Sequence, residues 1–277
     1  MRFGAPVPDN LCPDEWIATL KSRGYTAAYL PLPDERQDDT TLAAYATAAK
    51  EANIVIAEVG AWTNPLSKDE SERKAAIGFC QERLAIADKV GARCCVNIAG
   101  SRSSKWDGPH PENLTPDTFD LIVQTVREII DAVKPVRTFY SLEPMPWIYP
   151  DSIDSYQRLI RAIQRPQFAV HFDPVNLISS PQLYYQNGNL IREFCRSLGP
   201  YIRSCHVKDI ILRDHLTVHL DEVRPGLGNL DYVVLLQEIN RLDPDTSLLL
   251  EHLPSQEEYE LAAAHVRSVA ENLNLRL

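Results

Sequence analysis

Short apolar runs separated by longer amphipathic stretches recur from one end of the chain to the other, and this alternation limits what it can fold into more than any other feature. Eight runs have strand character: RFGAPV (2–7), TAAYLPL (26–32), IVIAEVG (54–60), ARCCVNI (92–98), TFYSLE (138–143), FAVHFD (168–173), IRSCHV (202–207) and SLLLE (247–251). The stretches between them carry helix signals. In CPDEWIATLKSRG (12–24), DDTTLAAYATAAKEAN (38–53) and TPDTFDLIVQTVREIIDAV (115–133), a polar cap or a proline precedes periodic apolar residues. Gly24 and Asn53 stand where the first two of these helices should stop. Strands alternating with helices imply repeated βα units around a parallel sheet. Eight such units in 277 residues match the roughly 250 residues of a (β/α)8 barrel, so a single α/β barrel is expected rather than an open doubly wound sheet. No linker, composition shift or sequence repeat divides the chain, and residues 1–277 are expected to form one domain.

Composition narrows the function. The chain is 44% hydrophobic, enough for a large core. No apolar stretch approaches the roughly 20 residues of a bilayer span, and no basic start leads into a long apolar run, so a soluble cytoplasmic protein without a membrane partner is expected. A net charge of −10 opposes a surface built for phosphate backbones, and no nucleic acid is expected as partner. The six cysteines (Cys12, Cys80, Cys94, Cys95, Cys195 and Cys205) form no CxxC pair. They are expected to be reduced and to pack as small hydrophobes.

In a (β/α)8 barrel, chemistry gathers at the carboxyl ends of the strands. There the fifth run ends in Glu143, the sixth in Asp173, the seventh near His206 and the eighth in Glu251. Strand alternation turns these side chains inward, with Ser141, His171, Ser204 and Leu249 behind them. Any one of the four polar groups could be satisfied by an arginine, a helix cap or core packing. Three carboxylates and an imidazole on four successive strands would instead repel one another, and a cation reverses that local field. One divalent metal ion is therefore the expected cofactor. Oxygen-rich ligation with one nitrogen suits Mn²⁺ first, with Mg²⁺, Co²⁺ and Zn²⁺ also compatible.

Further residues are read around this centre. Lys208 shares the inward face of His206 and is expected either to bind a substrate oxygen or anion, or to pair with a neighbouring acid. His171 either orients a ligand from behind or packs as an interior histidine. Glu58, taken as the end of the third strand, and Asn97, in the comparable place on the fourth, are expected to meet substrate hydroxyls. Trp62, Trp106 and Trp147 fall on loops after strands, where an indole either lies against the C–H face of a sugar or anchors its loop. Trp62 and Trp147 are preferred as sugar contacts, and Trp106, in GSRSSKWDGPHPEN (100–113), is open to a third role on a mobile lid. Arg224 is read as a binder of a substrate anion, and the Pro-Gly-x-Gly stretch after it chiefly as a turn before a helix near Leu230. Asp209 is expected to be structural. Glu251 is preferred as a ligand over His252, which has the opposite parity if the strand continues.

The ordered set Glu143, Asp173, His206 and Glu251, with HVKD at 206–209 and PGLGNLDY at 225–232, resembles the sugar phosphate isomerase/epimerase group of the xylose isomerase-like TIM barrels. The resemblance runs over nearly the whole chain. It implies that these four residues hold the ion, which grips a carbonyl and a neighbouring hydroxyl of a small carbohydrate or cyclitol. It also implies that Glu143 and Glu251 act as acid and base on opposite faces of an enediolate, giving an isomerase or epimerase of a sugar, keto-sugar or cyclitol. Several relatives place a histidine three residues beyond the strand-six aspartate, where this chain has Asn176. That departure argues against the multi-zinc nuclease branch and leaves an amide to contact substrate. The fold hosts several reactions, so two other readings stand beside the first. One is a metal-dependent lyase or dehydratase that begins with the same proton removal and expels a β-substituent, keto-glycoside cleavage included. The other is a non-catalytic sugar-binding barrel. Barrels of this kind often pair through their loops, so a homo-oligomer is compatible with the sequence.

Overall fold

A computed structural model describes residues 1–32 and 38–277. Its strands are β1 (Arg2–Gly4), β2 (Ala27–Tyr29), β3 (Val55–Gly60), β4 (Cys94–Asn97), β5 (Tyr140–Leu142), β6 (Phe168–Phe172), β7 (Ile202–Val207), the hairpin pair β8 (Asp209–Leu212) and β9 (Leu220–Val223), and β10 (Ser247–Leu250). All but the hairpin pair lie in one eight-stranded sheet in the order β1-β10-β7-β6-β5-β4-β3-β2, and its strand pairs are parallel. The two ends of that sheet meet. Thr26 N donates to Phe3 O at 2.8 Å, and Phe3 N donates to Thr26 Oγ1 at 2.9 Å. The result is a nearly closed barrel ringed by helices, the (β/α)8 fold that the alternating pattern predicts. Gly4 sits on this seam, where a Cβ would collide with the carbonyl of Ala27. Glycine at that position lets the first and second strands approach closely.

The surrounding helices are α1 (Pro13–Ser22), α2 (Asp39–Glu51), α3 (Glu70–Val90), α4 (Pro116–Val133), α5 (Ile153–Ile163), α6 (Pro181–Tyr185), α7 (Asn187–Leu198), α8 (Tyr232–Ile239) and α9 (Gln256–Asn272). Their starts follow from capping chemistry: Asp38, Asp69, Thr115, Ser152 and Ser255 each accept a backbone N–H from the first turn of α2, α3, α4, α5 and α9. Gly24 and Asn53 follow α1 and α2 at φ 66° and 54°, the left-handed stops expected there. Among the described residues no helix is long and apolar enough to cross a membrane.

The main apolar core lies between sheet and helices, with Trp16, Ile129, Leu159 and Phe194 fully buried in it. Inside the barrel, by contrast, a small cluster of Ala27, Ala57 and Leu249 shares the space with Glu58, His171, Ser204 and His206, all fully buried. This polar interior carries the floor of the site.

Two features depart from the sequence reading. β3 ends at Gly60, as the run at 54–60 predicts, so Glu58 lies two residues short of the strand end expected for it. Residues 209–223 form the antiparallel hairpin β8–β9 (Asp209 opposite Val223, Leu212 opposite Leu220), which the polar stretch RDHLTVH (213–219) conceals in the sequence. Asp209 anchors the exit of that hairpin: its carboxylate accepts from Gly226 N (2.9 Å), Gly228 N (3.0 Å) and Leu230 N (2.9 Å). The Pro-Gly-x-Gly stretch is thus a turn wrapped on a buried carboxylate, leading into α8.

Cys12 is exposed and the other five cysteines are buried without disulfides. Burial pushes the Cys80 thiol up to about 11, and those of Cys94 and Cys195 up to about 12. Thiolate is the reactive form, so a thiol reagent at pH 8 is expected to modify Cys12 alone in the folded protein and all six cysteines in denaturant. Rapid native-state reaction of a second thiol would contradict this. At the barrel seam, Gly4→Ala is expected to destabilise by about 1–3 kcal/mol through overpacking, measured as a lowered denaturation midpoint.

Candidate active site

Glu143, Asp173 and Glu251 each come one residue after a strand (β5, β6 and β10), and His206 is the penultimate residue of β7. The barrel brings one donor atom from each of these four residues within 4.8 Å of the others. His206 Nδ1 faces Glu251 Oε1 at 2.9 Å and Glu143 Oε1 at 3.3 Å. Lys208 is buried beside them, with Nζ 2.6 Å from Glu251 Oε1, 2.9 Å from Asp173 Oδ2 and 3.5 Å from Glu222 Oε2. Of its two expected roles, the structure shows the pairing with acids. Asp173 Oδ1 accepts from Val175 N (2.9 Å) and Asn176 N (3.1 Å), which fixes the turn after β6. Asn176 Nδ2 in turn donates to Glu143 Oε1 at 2.9 Å.

Electrostatics bind the cluster together. Burial opposes charge on Glu251, yet His206 and Lys208 beside it hold its carboxyl well below the usual range. Burial likewise opposes charge on His206 and Lys208, and the surrounding carboxylates, Glu251 foremost at His206 and Asp173 foremost at Lys208, raise both well above their ordinary values. The donor set also fits a divalent cation. Oxygen donors about 2.0–2.6 Å from a central ion lie no more than about 5 Å apart, and these four meet that bound. Among the described residues, Asp173 Oδ2 and Glu251 Oε1 are buried without a well-formed hydrogen bond and meet their partners as ion pairs. Those two oxygens, with a Glu143 oxygen and His206 Nδ1, are the atoms that would hold the metal.

Glu58 and Asn97 are placed away from the substrate space. Glu58 sits one layer below the cluster because β3 continues past it, and its carboxylate meets Ser204 Oγ, His171 Nε2 (2.9 Å to Oε1) and His206 Nε2 (3.3 Å to Oε2). Burial would raise its carboxyl, but His206 and His171 hold it well below the usual range. Asn97 points outward. Its amide brackets the backbone of Thr63, accepting from the N–H and donating to the carbonyl at 3.3 Å each, and it also approaches Cys80 Sγ. His171 is a fully buried partner of Glu58 rather than a wall of the pocket.

Above the cluster opens a cavity of about 580 Å³ whose lining includes Glu143, His206, Lys208, Glu251, Asn176 and all three loop tryptophans. Trp62 lies 6.2 Å from the His206 ring, and Trp147 Nε1 donates to Asp107 O at 2.8 Å. The loop bearing Trp106 is tied down. Ser101 Oγ donates to Gly108 O (2.6 Å), Asn113 accepts Arg102 N (2.9 Å), and Asn64 accepts Ser101 N (2.8 Å). These bonds tie the two ends of the loop together, with Trp106 exposed between them. Arg224 is not among the lining residues; its guanidinium pairs with Glu258 at 2.8 Å and joins the end of the hairpin to α9.

Sequence reasoning missed Tyr29, Tyr259 and Glu222, which also line the cavity, and set His252 aside. Glu222 arrives on β9 and accepts the approach of both Lys208 and His252 Nδ1 (3.2 Å). His252 reaches the mouth because β10 ends at Leu250 and the chain turns at φ 58° on His252 itself. LDEV (220–223), apolar only at its two ends, carries no period-two signal that would reveal the hairpin.

Comparison with known proteins agrees with this architecture. Residues 17–269 match the family model of the xylose isomerase-like TIM barrel, and the chain belongs to that family. No curated protein matches it in sequence. Among solved structures, it superposes on the probable 3-DHS dehydratase AsbF of Bacillus anthracis with TM-score 0.72 and 14% identity, covering 98% of this chain and 99% of that one. D-psicose 3-epimerase of Clostridium cellulolyticum H10 gives TM-score 0.70 and 14% identity, covering 100% of both. A xylose isomerase-like TIM barrel protein of Mycobacterium smegmatis, solved in complex with magnesium, gives 0.66 and 15%, covering 96% of this chain and 90% of that one. At these identities the likeness is one of fold.

Removing the buried ammonium tests the electrostatic description. Lys208→Met leaves Asp173 without its cation and Glu251 with His206 but without its ammonium partner, and the metal-free protein is expected to lose about 3–5 kcal/mol, with Mn²⁺ restoring part of the loss in thermal melts. A variant as stable as the parent without metal would show that the acids do not need this partner.

Proposed function

We propose that this chain is a divalent-metal-dependent isomerase or epimerase of a sugar, keto-sugar or cyclitol. The observation that carries the reading is the convergence of Glu143, Asp173, His206 and Glu251 within 4.8 Å at the floor of an open cavity. The D-psicose 3-epimerase among the structural neighbours and the magnesium complex of another support it by analogy of fold. When bound, the ion would polarise a substrate carbonyl and favour the anion left by loss of the adjacent proton. Mn²⁺ suits this donor set first.

The protein's own groups supply the rest. Glu143 and Glu251 enter from β5 and β10, separated in the sheet by β6 and β7. They can therefore address a small ring from two sides, one carboxylate taking a proton from carbon and the other returning one. Asn176, bonded to Glu143, keeps that carboxylate turned toward the cavity. Lys208 balances the acids and offers N–H donors to a substrate oxygen. The indoles of Trp62 and Trp147 give apolar faces for the C–H side of a sugar and displace water there. In this reading residues 1–277 act as one domain, in the cytoplasm, on a small molecule.

A second outcome shares the first step. The dehydratase neighbour has the same fold, and loss of a β-substituent after proton removal would make the chain a lyase. Elemental analysis is expected to find one divalent ion per chain; a metal-free, sugar-binding protein would refute the enzymatic reading. NMR of a keto-sugar panel in D₂O is expected to show deuterium at the carbon next to the carbonyl, and loss of water or an aglycone would identify the lyase. Glu143→Gln and Glu251→Gln are each expected to lower kcat by at least about 10²-fold with the fold intact. Retained turnover in either variant would remove that residue's acid/base role.

A further inference from the structure

We propose that Glu58 is the positioning residue for His206: it accepts the Nε2–H of that ring and so directs the Nδ1 lone pair at the cation held by Glu143, Asp173 and Glu251. The inference rests on the metal reading above and goes beyond it in assigning a role to the buried layer under the site.

Three observations carry it. First, Glu58 is fully buried, and the groups on its carboxylate are Ser204 Oγ, His171 Nε2 and His206 Nε2. A carboxylate inside a barrel is costly, and an apolar side chain of similar volume would fill the space at lower cost. Its retention calls for a role that an apolar side chain lacks. Second, the two nitrogens of His206 face different partners: Nδ1 looks up at Glu251 and Glu143, and Nε2 looks down at Glu58. A neutral imidazole has one N–H and one lone pair, and the acceptor beside one nitrogen decides which is which. With the proton held at Nε2 by Glu58, the lone pair is left where the other three donor atoms converge. Third, Glu58 is itself held. Ser204 and His171 lie two residues before His206 on β7 and before Asp173 on β6, so the carboxylate braces the strands that deliver two of the four donors. The His206 ring is also packed against His171 (4.1 Å between centroids) and flanked by Trp62 and Tyr29 at 6.2 and 6.3 Å, which leaves little freedom to turn over.

The test is Mn²⁺ affinity by titration calorimetry, with thermal melting of each metal-free variant as the check on folding. Glu58→Leu keeps the volume and removes the acceptor, and it is expected to weaken Mn²⁺ binding about 10–100-fold. Glu58→Gln keeps an oxygen acceptor and is expected to recover most of that loss. A folded Glu58→Leu protein that binds Mn²⁺ within about twofold of the parent overturns the inference and leaves the metal reading standing. A parent that binds neither Mn²⁺ nor another divalent ion overturns both. Since Glu58→Leu is at risk of misfolding, long-range ¹H–¹⁵N correlation on the ¹⁵N-histidine-labelled, Zn²⁺-loaded parent gives an independent readout. The His206 ring is expected as the Nε2–H tautomer with Nδ1 on the metal, and the opposite tautomer overturns the proposal.

Discussion

Glu143, Asp173 and Glu251 are forced together by the closure of the barrel, with donor atoms no more than 4.8 Å apart. Two unit charges of like sign at that distance repel by about 3–4 kcal/mol at an effective dielectric near 20, and three such pairs are present. Much of the surrounding structure can be understood as a response. Lys208 is drawn into a nearly sealed position against two of the acids, His206 is raised toward its charged form, the turn amides after β6 satisfy Asp173 Oδ1, and Asn176 donates to the Glu143 oxygen that faces His206. The arrangement holds positive charge near the acids and keeps a divalent ion's donor set assembled.

The four central residues were legible because two regularities coincide. Strand alternation tells which side chains face inward, and the barrel rule tells which end of each strand matters. Neither rule needs tertiary detail, so Glu143, Asp173, His206 and Glu251 could be named from spacing alone. Asp209 is legible as structural but its partners are not, because the amides it accepts come from a turn 17 residues further on that only the hairpin brings back to it.

Other positions depend on information that a single strand does not carry. Glu58 looks like a strand end because GAWTNP follows it closely, yet two further residues pair before the chain leaves the sheet, which drops its carboxylate one layer. Asn97 lies one residue out of phase with the inward face and turns toward α3. The hairpin that supplies Glu222 has only four residues in each strand, joined by a polar loop, and such short runs give little periodic signal. His252 is outside the cluster of four, as its parity suggests, and its place at the mouth follows from β10 ending at Leu250, which strand parity does not reveal.

The tethering of loop 100–113 by Ser101, Asn113 and Asn64 also bears on how this side of the mouth chooses what enters. Hydrogen bonds already made in the free protein are ordering that an incoming molecule need not supply. On this side a guest meets a contour braced by Ser101, Asn113 and Asn64, and the closeness of its fit to that contour decides how much surface the two can bury.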